Sequence, residues 1–125
     1  MIDIDKQITY WITGATDDLE SAKILIESNR LLHGLFFCHL VIEKAIKANV
    51  VKQTGEIAPR SHNLLYLSEI AKLVFTEEDE LFLGILMKYQ LQGRYPDYNP
   101  NIPDKIKVNE YLIKTEKLLL WLQVK

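Results

Sequence analysis

The chain has 125 residues, 48% hydrophobic and 26% charged, with 15 basic against 17 acidic side chains for a net charge of -2. That composition supports a real core in a single domain spanning 1–125 and excludes a disordered, solvating chain. A slightly acidic balance also argues against a protein held on duplex DNA mainly by phosphate neutralisation, while leaving room for a local basic site. Cys38 is the one cysteine, which excludes an internal disulfide and fits a reducing, cytoplasmic location. The longest apolar stretch, Leu31 to Ile42, is interrupted by His33, Gly34 and His39 and is too short to cross a bilayer, so no membrane partner is expected.

In chain order, Ile4, Ile8, Trp11, Ala15, Leu19, Ala22 and Ile26 recur in steps of three and four, the mark of one helix face. Asn29 and Arg30 read as the end of that helix. A second helix runs from Leu31 to Thr54 with two apolar stripes, Leu35-Cys38-Ile42-Ala45-Asn49 and Phe37-Val41-Ala48. A helix apolar on two sides belongs at the centre of a bundle. His39, Glu43 and Lys47 interrupt it as a polar line at i, i+4 and i+8, and Gly55 is placed to close it in a left-handed cap. After a connection containing Pro59, Ser61 or Asn63 caps a short third helix with Leu64, Leu67, Ala71 and Val74 inward.

Thr76, followed by Glu77, Glu78, Asp79 and Glu80, reads as a capping hydroxyl with acids that complement the positive end of a helix dipole. This fourth helix sets Leu81, Ile85, Lys88/Tyr89 and Gln92 along one side, and Gly93 ends it. The stiff polar stretch from Arg94 to Pro100 follows. A last helix begins near Pro103 or Asp104 with Val108, Leu112, Thr115, Leu119 and Leu122 inward, and Tyr111 and Trp121 widen that face. No segment alternates with period two for long enough to suggest a strand. The expected fold is all-α, a five-helix up-and-down bundle. Leu31, Leu32, Phe36 and Phe37 exceed what one small core needs, which points to a partner surface and a homodimer.

Several residues have chemistry to offer. His39 and Glu43 lie one turn apart, but a metal site needs three or four ligands, and His33 and His62 are not at compatible helical offsets. No metal and no cofactor are expected. Cys38 and His39 point about 100° apart on a helix, so Cys38 reads as a small buried hydrophobe rather than a nucleophile. Lys44, Lys47, Lys52 and Arg60 against Glu56 make a locally positive region. Arg94 offers a planar fork of donors for phosphate, with Tyr95 and Tyr98 as stacking or packing groups. Equally, Arg94 paired to Asp97 or Glu43 would simply brace its loop.

The run Cys38-His39-Leu40-Val41-Ile42-Glu43-Lys44-Ala45-Ile46-Lys47-Ala48 resembles the helix-two signature of HEPN (higher eukaryotes and prokaryotes nucleotide-binding) domains. His62-Asn63-Leu64-Leu65-Tyr66-Leu67 and Arg94-Tyr95-Pro96 fit the same family in order and spacing, so the resemblance covers nearly the whole chain. It implies a helical bundle that often dimerises and is often paired with a nucleotidyltransferase, in some cases as a toxin–antitoxin couple. In a catalytic subset, an arginine followed after four to six residues by histidine cuts RNA. Here those histidine positions are Asn99, Pro100 and Asn101, none of which exchanges a proton near neutral pH.

The expected function is therefore that of a non-catalytic HEPN domain binding a nucleotide or RNA phosphate in a polar groove. Arg94 and Lys47 would hold phosphate, Tyr95 would stack or donate, and Glu43 would orient them, with His39, Lys44 and Asp97 beside the groove. No catalytic residue is expected. A separately encoded nucleotidyltransferase is the expected protein partner. The alternatives are a divergent endoribonuclease using Tyr95, Tyr98 or His39, and a purely structural interaction module.

Overall fold

The computed structural model describes residues 2–92 and 101–125. Among them run five helices and no strand: α1 Ile4–Glu27, α2 Leu31–Thr54, α3 Leu64–Ile70, α4 Glu77–Gln92 and α5 Lys105–Gln123. They form the up-and-down bundle that the periodicity predicts. α2 is its centre and contacts each of the other four helices.

Capping residues set the helix starts. The Asp3 carboxylate accepts from the Lys6 N–H at 3.1 Å to open α1, and Asp104 accepts from the Lys107 N–H at 2.9 Å to open α5. α1 buries Ala15, Leu19, Ala22 and Ile26 and stops where Asn29 takes φ 63°, a left-handed value that asparagine tolerates. α2 begins two residues later. The two helices meet closely at Gly34, where a Cβ would lie 2.4 Å from Ile26 Cγ1. At the far end of α2, Gly55 adopts φ 71° and its N–H donates to the Val51 carbonyl, the cap expected of it.

Asn49, on the apolar stripe of α2, has a structural task. Its Nδ2 donates to the Ala45 carbonyl at 3.0 Å and to the Leu122 carbonyl at 3.1 Å, so it fastens the end of α5 to the central helix. The Lys52 ammonium donates to the Lys125 carbonyl on the same seam.

Both cap candidates for α3 take part, since Asn63 accepts from the Leu65 and Tyr66 N–H groups while Ser61 Oγ accepts from the Asn63 N–H. Leu64, Leu67 and Ala71 are buried as expected, but Val74 is 85% exposed. α3 has already stopped at Ile70, and Lys72 at φ 55° turns the chain, so helical spacing no longer governs Val74.

Thr76 Oγ1 caps α4 by accepting from the Asp79 N–H at 3.1 Å. Of the side of α4 that spacing picks out, Tyr89 is buried and Ile85 is half-buried against the core. Phe82, Leu83, Leu86, Tyr89 and Gln90 are buried, whereas Leu81 is 66% exposed and Lys88 faces solvent. Adjacent apolar triplets at 81–83 and 85–87 offer competing stripes, and packing selects the one rotated by a residue. In α5, Val108, Thr115, Leu118, Leu119 and Leu122 are buried, with Tyr111, Leu112 and Trp121 half-buried around them.

Leu31, Leu32 and Phe37 are half-buried against the core, and Phe36 stands edge-on to Phe37 at 5.9 Å. Much of the apolar surplus at the start of α2 thus closes the chain's own bundle. Among the described residues no helix is long and apolar enough to cross a membrane.

Cys38 is fully buried, and burial pushes its thiol up to about 11 against the opposing effect of a hydrogen bond with Thr115. Because the folded value lies above the ordinary 9.0, its contribution to stability is complete below pH 9 and is lost as the pH rises through about 11. Wild type should therefore lose more stability than Cys38→Ala between pH 9 and 11 in urea titrations. In the native state at pH 8, iodoacetamide should react with the thiol only as fast as the protein opens. Rapid native alkylation would contradict the burial.

Candidate functional site

The polar line of α2 lies on a helix with neighbours on every side, so it is covered. His39 is fully buried, and Glu43 and Lys47 are 4% and 5% exposed. Burying a charge is costly unless it is paired, and the pairing here is close. The Lys47 ammonium donates to Glu43 Oε2 at 3.0 Å and stands 5.2 Å from the centroid of the Trp11 ring, a cation–π contact from α1.

The second oxygen of Glu43 faces the α2–α3 connection. His62 Nδ1 donates to Glu43 Oε1 at 2.9 Å, and His39 Nδ1 lies 3.6 Å from the same oxygen. His39 Nε2 donates to the His62 backbone carbonyl at 3.1 Å. A carboxylate and a carbonyl only accept, which assigns a hydrogen to Nδ1 of His62 and to Nε2 of His39. His39 thus holds the backbone of the connection, and Glu43 holds the ring it carries. His62 keeps 45% of its side chain exposed at the wall of an open cleft of about 520 Å3 between this connection and α4.

Lys44 belongs elsewhere. Its ammonium is 2.7 Å from Asp18 Oδ2 on α1, and its stem crosses Gly14, where a Cβ would come within 3.2 Å of Cδ. It ties α1 to α2 on another face of the central helix. Arg94, Tyr95 and Asp97 lie outside the described residues, as do Gly93 and Tyr98.

The structure therefore brings His39, Glu43 and Lys47 together and adds His62, which the sequence set aside as a partner of His39 and Glu43 for lack of a compatible helical offset and otherwise placed at the start of α3. His62 reaches Glu43 from a loop, so no helical offset could have linked them. The residue type was the available signal, because a histidine just before a capping asparagine needs a partner once it packs on a bundle. Among the described residues no group of three or more His, Cys, Asp or Glu side chains is arranged to hold a metal ion. What the arrangement does chemically is fix one imidazole rigidly at a cleft wall while keeping a buried carboxylate and ammonium neutralised.

A five-helix bundle whose central helix clamps a carboxylate between a lysine and a loop histidine defines the class as a small polar-centred α-domain. The family model for the HEPN domain matches residues 8–125, and the chain belongs to that family. TT1696 from Thermus thermophilus has the same fold, with a TM-score of 0.78 at 21% identity over 94% of this chain and 96% of that one. ST0689, described as an archaeal HEPN homologue, gives a TM-score of 0.68 at 25% identity over 98% of this chain and 97% of that one. A comparison with curated proteins gave no match.

Proposed function

We propose that this HEPN domain binds the phosphate of a nucleotide or RNA without cutting it. It would act as a cytoplasmic homodimer beside a separately encoded nucleotidyltransferase, in the manner of a toxin–antitoxin pair. The observation that carries the proposal is the clamp on Glu43. A carboxylate inside the central helix serves no packing need that a leucine would not meet, yet here it holds a histidine at an open cleft.

The groove then has Glu43 as its brace, Lys47 as the group that holds Glu43 in place, His39 as the group that holds the His62 backbone, and Arg94 and Tyr95 as ligand contacts, with Asp97 beside them. Lys44, committed to Asp18, supports the α1–α2 contact instead. Two observations favour binding over cleavage. Asn99, Pro100 and Asn101 occupy the positions where a proton-exchanging histidine would follow Arg94. His39, fully buried with Nε2 donating to a backbone carbonyl, is not placed to serve a substrate in its stead.

The test is incubation of the purified protein with RNA, alone and with a nucleotidyltransferase partner, alongside a nucleotide titration. Intact RNA and saturable binding that weakens at least ~10-fold in Arg94→Ala are expected, the loss associated with one charge-assisted contact. RNA cleavage that disappears in Arg94→Ala would make the protein a ribonuclease. Absence of any saturable binding would leave a structural module.

A further inference from the structure

The cleft beside His62 is lined by polar and basic side chains. Its walls include Arg60, His62 and Asn63 from the α2–α3 connection and Gly84, Lys88 and Gln90 from α4, with no carboxylate among them. Lys23, Lys44, Lys47, Lys107 and Lys114 are each paired with an acid. Arg60 and Lys88 are among the cations that form no ion pair with a described residue, and both open onto this one hollow. Two like charges lining one hollow raise the local positive potential and favour an anion there.

Gly84 supplies an independent observation. It sits inside α4, where glycine is a poor helix former, and a Cβ built on it would meet no atom of the described residues within 4 Å. No close helix contact therefore requires a glycine there. The bare backbone instead leaves open volume on the cleft wall, at about 520 Å3 in total, within the range of sites for small organic ligands. The opposite wall is held firm. Glu43 fixes the His62 ring, His39 fixes the His62 carbonyl, and Ser61 accepts from the Asn63 N–H.

We propose that this cleft is a phosphoester site: Arg60 and Lys88 hold the phosphate with His62 beside it, and the space over Gly84 takes the organic group that the phosphate carries. The site rests on the proposal that the domain binds phosphate ligands, and it adds Arg60 and Lys88 to the contacts proposed for them. Arginine grips phosphate oxygens through two parallel donors, and lysine adds a point charge that reaches across from α4. The buried Glu43–Lys47 pair acts at one remove, as the support on which the His62 ring is oriented. A mononucleotide and the terminal nucleotide of an RNA share this chemistry.

Calorimetric titration of the full chain with AMP, pyrophosphate and a five-nucleotide single-stranded RNA tests the assignment. The variants are Arg60→Ala, Lys88→Ala, the double variant and Gly84→Leu, with Lys72→Ala as a surface-charge control. Each cation variant should weaken AMP binding by roughly tenfold and the double variant should abolish it, while Lys72→Ala should leave it unchanged. Gly84→Leu should melt no lower than wild type, because leucine favours the helix and the space is open, yet lose AMP while keeping pyrophosphate. Preference for AMP over the RNA identifies a free nucleotide as the source, and the reverse identifies an RNA end. Wild-type binding that survives in the double variant, or AMP binding that survives in Gly84→Leu, overturns this seat and leaves the general phosphate-binding role standing. If wild type binds none of the three probes, both proposals fall together.

Discussion

Glu43→Ala should lower stability by about 3–5 kcal/mol, the cost of removing one partner of a buried ion pair. The substitution strands the Lys47 ammonium, 5% exposed, with only the Trp11 ring against it, and it releases the His62 ring from the α2–α3 connection. Glu43→Gln keeps the shape and one acceptor, so it should fall between wild type and alanine. Replacing both partners, as Glu43→Leu with Lys47→Met, removes the stranded charge and should recover most of the loss. Urea denaturation of the four proteins at pH 7 measures this directly. A loss below about 1 kcal/mol for Glu43→Ala would mean that water already reaches the pair.

Gly34→Leu is expected to cost about 3 kcal/mol, the upper part of the range for forcing extra atoms into a packed core. A single Cβ at this position would already stand 2.4 Å from Cγ1 and 3.1 Å from Cδ1 of Ile26, a side chain 1% exposed in the core. The Ile26 backbone nitrogen is only 3.5 Å away, so the helices themselves must separate to admit a larger side chain. The gain in helix propensity from leaving glycine, about 1 kcal/mol, offsets part of the loss but not all of it. Gly34→Leu should thus melt well below wild type, whereas Gly84→Leu, the same exchange over open space, should not. Equal melting temperatures for the two would refute the close α1–α2 approach.

Most of the fold was readable from the order of residues, because capping and apolar periodicity are local. Asp3, Asn63, Thr76 and Asp104 cap helices through side chains a few positions away, and Gly55 takes the backbone conformation that its type favours. Where local signals competed, packing decided. In α4 the doubled apolar triplets allowed two faces, and packing against neighbouring helices, with Phe82 5.8 Å from the Tyr111 ring of α5, buries Phe82 and Leu86 in place of Leu81. The site divides in the same way. His39, Glu43 and Lys47 share one helix and so could be grouped by spacing. The link to His62 spans 19 positions, and the cleft joins a loop to a helix from a different part of the chain. No periodicity encodes such encounters. Lys44 shows the converse, since a lysine beside Glu43 in sequence turns to Asp18 on α1 because adjacent helical residues diverge.

The tight turn at Asn29 has a kinetic side. α1 and α2 pack against each other more extensively than any other pair of helices among the described residues, yet only Ser28, Asn29 and Arg30 separate them. Bringing them together closes a very short loop, so this hairpin is the cheapest tertiary unit to assemble in terms of chain entropy. α5 must return from the far end of the polypeptide to meet Asn49 and Lys52. Its docking closes a far longer loop and therefore bears a larger entropic cost than the hairpin.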